Sequence, residues 1–124
     1  MNYLSRSEIA RVLESLGQIE DGSRIWYDLA QQTNRLIVTP SQRVEAAAAA
    51  SQYGYWRETK EILQSIAQST CIDEPLTCLD AAAELRRQGW YQEAMSFVMV
   101  LDKNHLEKPA IARTIDEAMR WRDL

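Results

Sequence analysis

Apolar residues recur every three to four positions along most of this chain, a spacing that lines one face of an α-helix. After Gly54 the stripe runs Trp56, Thr59, Ile62, Leu63 and Ile66; after Gly89 it runs Tyr91, Ala94, Met95, Val98 and Leu101. Each stripe predicts a helix. Each is preceded by a helix of small residues, Ala46-Ala47-Ala50 and Ala81-Ala82-Leu85, which lets neighbouring axes approach closely. Phe97, Met99 and Val100 make the helix after Gly89 apolar nearly all round, so it is expected to be sandwiched. A weaker copy comes first. Ser5 to Glu8 reads as a capping box, Ile9, Ala10 and Leu13 follow at helical spacing, and Leu16-Gly17 ends the helix. Ile19, Trp26 and Leu29 mark its return partner. Past Pro109, the residues Ile111, Ile115, Ala118 and Met119 predict a seventh helix with no return partner. Leu36-Ile37-Val38 is read as a packed connector between helices, and no strand is predicted.

The punctuation repeats as well. Pro40, Pro75 and Pro109 lie 35 and 34 residues apart, and Gly54 and Gly89 each follow a proline by fourteen. Two aromatics follow each glycine, Tyr55-Trp56 and Trp90-Tyr91. A fixed period in this range is the signature of stacked helix pairs. Proline suits a first helical turn, where its missing N–H would have no partner. Thr39, with Gln42 three residues on, predicts a capping box, and the glycines close their helices in left-handed turns. Gly17 to Gly54 is 37 residues, so a small insertion is expected between Gln32 and Val38. The expected architecture is all-α, in one domain over 1–124. It comprises about three helix hairpins (roughly 3–38, 39–73 and 74–108) and a helix over 109–122 capping the last apolar face.

The spacing of Ala82, Gly89, Tyr91 and Ala94 resembles the tetratricopeptide repeat family, whose unit has small residues, a glycine near the turn, an aromatic and an alanine at these places. The middle copy reads Ala47, Gly54, Trp56 and Thr59, departing at the last place. The first reads Ala10, Gly17, Ile19 and Gly22, departing twice. The resemblance covers nearly the whole chain and implies a right-handed α-solenoid whose concave face, lined by the first helix of each repeat, holds a peptide. On that geometry the face is built by Arg11 and Glu14 in the first copy and by Val44, Ala48, Ser51 and Gln52 in the second. The third copy adds Leu76, Leu79, Ala83, Arg86 and Arg87, and the terminal helix adds Arg113, Glu117, Arg120 and Trp121. Such an arginine ridge beside Leu76, Leu79 and Trp121 suits a protein segment with acidic and apolar residues, or a C-terminal carboxylate.

Composition narrows the alternatives. The 124 residues are ordinary globular material, 46% apolar and 26% charged. The eleven Arg and three Lys are outweighed to a net charge of −4, which argues against nucleic acid as a partner. No run approaches the roughly 18 to 20 apolar residues of a membrane span, and the charged N-terminus does not read as a signal peptide, so a cytoplasmic protein is expected. Cys71 and Cys78 sit seven apart, which fits neither a CxxC motif nor a four-ligand zinc site; reduced, partly buried thiols are expected. His105, placed in a connector over 103–108, stands alone, and no glycine-rich phosphate loop is present. No catalytic residue, metal or cofactor is therefore expected. Of the four Trp, three are read as core, and Trp121 as a partner contact. The expected function is a small adaptor or chaperone; the alternative is a self-assembling helical subunit, a homodimer through the terminal helix or residues 1–4.

Overall fold

A computed structural model describes residues 2–105, with side chains described through Leu101. Among these residues the protein is all-helical: α1 (Tyr3–Ser15), α2 (Ile19–Gln31), α3 (Pro40–Ser51), α4 (Trp56–Thr70), α5 (Pro75–Arg87) and α6 (Tyr91–His105), with no strand. The chain forms two compact units, Met1–Ile62 and Leu63–Leu124, whose boundary falls inside α4. In the first, α1 packs on α2 and α2 on α3; in the second, α5 packs on α6. The expected helix over 109–122 lies outside the described residues.

Local chemistry places each helix. Thr39 Oγ1 accepts from Gln42 N–H at 3.2 Å and Gln42 Oε1 from Thr39 N–H at 3.0 Å, the anticipated capping box, with Pro40 directly inside it. Gly17, Gly54 and Gly89 all take positive φ, at 84°, 124° and 95°, which a Cβ would strain. Past each glycine the next N–H closes the same turn: Gln18 onto the Leu13 carbonyl at 2.8 Å, Tyr55 onto Ala50 at 3.4 Å, and Trp90 onto Leu85 at 2.9 Å. The starts of α1, α3 and α5 step along the chain by 37 and then 35 residues, and the starts of α2, α4 and α6 step identically.

The core follows the same register. Ala10, Ala47 and Ala82 are fully buried, and so are Leu63 and Val98, with Trp26 almost so at the matching place in α2. Leu29, Ile66 and Leu101 repeat the pattern one turn later. Each buried side chain of leucine size contributes about 1.5–3 kcal/mol relative to exposure. Within the α1–α2 and α5–α6 pairs, small residues on the first helix let the larger ones of the second reach it.

Several expectations change. Ser5 does not cap α1: the helix begins at Tyr3, and Asn2 Oδ1 accepts from Ser5 N–H at 2.9 Å, supplying the cap three residues earlier and allowing Tyr3 to be buried. The α2–α3 link spans eight residues against four between α4 and α5, so the inserted length is here. Yet within Leu36-Ile37-Val38 only Val38 packs, while Leu36 is 96% exposed. Asn34 folds this link by accepting Leu36 N–H on its side chain and Val38 N–H on its carbonyl, which turns Leu36 outward. Trp56 and Tyr91 begin their helices exposed rather than packed, because the first position of each stripe overhangs the turn. Met99 and Val100 are exposed too, on sides of α6 turned from the Ala94–Val98–Leu101 stripe. Helix α6 runs through His105, so that residue ends a helix rather than sitting in a connector. Among the described residues no helix is long and apolar enough to cross a membrane.

Candidate functional site

The nominated face falls partly in each unit. In the first, α1 carries Arg11, α3 carries Glu45, and the packing of both around α2 brings them together: Arg11 Nη2 donates to Glu45 Oε1 at 3.1 Å. Both side chains remain about half exposed, at 55% and 54%. The Arg11 guanidinium also lies 5.3 Å from the centre of the Trp26 ring. Trp26 is buried, and its indole N–H donates to Glu14 Oε1 at 2.7 Å, so Glu14 serves the core rather than a ligand. Tyr3 tilts against Trp26 with ring centres 6.4 Å apart. Burial, and then the neighbouring Glu45 carboxylate, push the Tyr3 phenol well above its ordinary range, so it stays protonated beside that carboxylate. An exposed ion pair backed by aromatic rings can exchange its carboxylate for one on a ligand at little cost.

On α3, Val44 is buried and cannot line a face. It belongs to the core because it takes the register place of Ser7 and Leu79, also buried. Ala48 and Ser51 are half-buried, the Ser51 hydroxyl returning to the Ala48 carbonyl at 2.8 Å, and Gln52 is exposed at the helix end.

In the second unit Leu79 is likewise core, whereas Leu76 is 55% exposed and Ala83 and Arg87 share its side of α5. Arg87 Nε donates to Glu84 Oε1 at 2.8 Å, and its Nη2 reaches the same oxygen. That hydrogen-bonded carboxylate raises the guanidinium's already high pKa. Arg86 is half-buried one residue earlier. Both arginines stand in the last turn of α5, where positive charge opposes the helix dipole. Arg113, Glu117, Arg120 and Trp121 lie outside the described residues. Of the three Trp read as core, Trp26 is buried, Trp90 half-buried and Trp56 exposed, with Arg57 stacked 5.2 Å from the Trp56 ring.

Glu45 and Tyr3 were not anticipated as part of the face. A signal for Glu45 existed: it stands in the register of Glu8, one turn before Arg11, so first helices set side by side bring it to Arg11's neighbourhood. Cys71 is half-exposed and Cys78 buried, and neither is in a disulfide. Burial, and secondarily the Cys71 thiol, push the Cys78 thiol up to about 12, so it is not a nucleophile near neutrality. Among the described residues no three His, Cys, Asp or Glu side chains converge to hold a metal ion.

No protein-family model, curated protein or solved structure matches this chain.

Proposed function

We propose that this chain is a protein–protein interaction module, a small cytoplasmic adaptor or chaperone that holds a peptide or helix of a partner. In this reading it is a tetratricopeptide-like, right-handed solenoid of three helix hairpins, with residues 109–122 as a capping helix. The observation that carries the reading is the shared register: both helix series step by 37 and 35 residues, with equivalent glycine turns and equivalent buried alanines. Repeats of this kind bind ligands on an inner wall lined by their first helices.

The partner is chosen by the chemistry of that wall. Leu76 and Ala83 offer apolar contact on α5, and Arg86 and Arg87 offer charge at its end. Arg11 contributes by exchanging Glu45 for a carboxylate of the ligand. A segment with acidic and apolar residues suits these features. Val44 and Leu79 hold the helices together and do not touch the ligand.

Affinity capture of the tagged chain from its native cells, beside the Leu76→Glu/Arg87→Glu variant, tests the face. The expected result is a partner retained by the unmodified chain and lost from the variant, with helicity by circular dichroism preserved. Equal recovery by both chains overturns the assignment.

A further inference from the structure

Helix α3 receives α2 along one stripe. Arg43 Nε donates to the Ala30 carbonyl in the last turn of α2 at 2.8 Å, and one and two turns on, Ala46 and Ala50 are fully buried. The α2 C-terminus has no basic residue of its own in its last turn, so Arg43 supplies the cation that its last-turn carbonyls favour. Thirty-seven residues earlier, α1 carries the same stripe in the same register: Arg6, Ile9 and Leu13. Here it is open. Ile9 is 40% exposed, Val12 54% and Leu16 69%, and Ser5, Glu8, Ile9, Val12 and Leu13 border a depression of about 460 Å³.

From this we infer that the open stripe of α1 is a self-association surface, covered in solution by α1 of a second copy running antiparallel to it. Arg6 selects the occupant. Standing in the register place of Arg43, it suits a helix C-terminus without a cation of its own, and α1 ends with no basic residue in its last turn. Two α1 helices related by a two-fold axis satisfy this preference twice, each Arg6 reaching the last-turn carbonyls of the other helix. Ile9 and Val12 lie near the middle of α1 and meet their counterparts across the axis. A two-fold contact of this kind is self-complementary and closes at two copies. One helix per copy is a small interface, at or below roughly 1,200 Å², so the dimer is weak, with Kd on the order of micromolar.

Sedimentation velocity of the full chain from about 1 μM to 1 mM, a range bracketing that affinity, decides the matter. The expected result is a concentration-dependent shift from monomer to dimer and no further. Ile9→Glu/Val12→Glu is expected to remain monomeric throughout. Arg6→Ala removes the contact from both copies and is expected to weaken the dimer at least about a hundredfold, the effect of losing two charged hydrogen bonds. If the double variant loses helicity, Leu16→Glu, at a more exposed position, serves in its place. A chain that stays monomeric, a dimer indifferent to the α1 substitutions, or growth beyond two copies overturns the proposal. None of these outcomes bears on partner capture through α5.

Discussion

The α1–α2 pair and the α5–α6 pair occupy equivalent places in the register and fill them with different chemistry. Where α6 carries Val98, α2 carries Trp26, whose indole N–H must find an acceptor once buried and finds Glu14 at 2.7 Å. Where α6 carries Ala94, α2 carries Gly22. A Cβ at Gly22 would meet Glu14 Cγ at 2.8 Å and the Ala10 carbonyl oxygen at 2.9 Å. The two substitutions belong together, since the carboxylate that receives the Trp26 indole is the one lying over Gly22. In α5–α6 the same layer is apolar and closes with Leu85, Val98 and Leu101, all fully buried. A repeat thus dictates where side chains meet but not their volumes, which each layer must balance for itself.

The largest break in this comparison is expected from Trp26→Ala, which removes the aromatic core of the first pair and costs about 3–5 kcal/mol. Urea unfolding should show it, and Trp26→Phe should recover most but not all of the loss, because Glu14 then keeps no indole donor. Next comes Gly22→Ala, expected to cost about 1–3 kcal/mol by overpacking against a backbone carbonyl. Ala94→Gly in the other pair should cost less, about 1 kcal/mol through helix propensity. If Gly22→Ala is neutral in thermal unfolding, the close approach of α1 and α2 is misjudged.

Alkaline pH sharpens the contrast between a polar and an apolar layer. Burial raises the Tyr3 phenol in the first unit above its ordinary 10.0, and the Cys78 thiol in the second from 9.0 to about 12. Both groups keep their proton longer in the folded chain than in the unfolded one. Stability is therefore full below these ordinary values and falls as pH rises through them toward the folded ones. Unfolding midpoints at successive pH values should decline from about pH 9, and Tyr3→Phe should remove part of the decline above 10.0. Cys71 should react with iodoacetamide in the native chain, whereas Cys78 should require unfolding. The smallest effect belongs to Arg11→Ala or Glu45→Ala. An exposed pair contributes roughly 0–1 kcal/mol, so thermal unfolding should barely move.

Much of this was legible in the residues themselves. The prolines, the Thr39–Gln42 box and the three glycines mark helix ends because each acts through its own backbone or a partner three residues away. The first cap was harder to read, since Asn2 and Ser5 both qualify and only the burial of Tyr3 favours the earlier start. The candidate face was less readable. Val44 and Leu79 lie at positions that a helical wheel leaves between core and surface, and Leu36 had to be seen in its turn to be found exposed.

Sequence by itself determined that the described chain is helical, where the proline- and glycine-marked helix ends fall, and which positions recur along it. These depend on contacts within about one helical turn, and the residue types at those places admit few alternatives. Tertiary structure decided that Val44 and Leu79 are core, that Arg11 meets Glu45 across 34 residues, and that Glu14 serves Trp26. Those outcomes depend on how closely one helix can approach the next, a distance set by side-chain volumes from both helices at once.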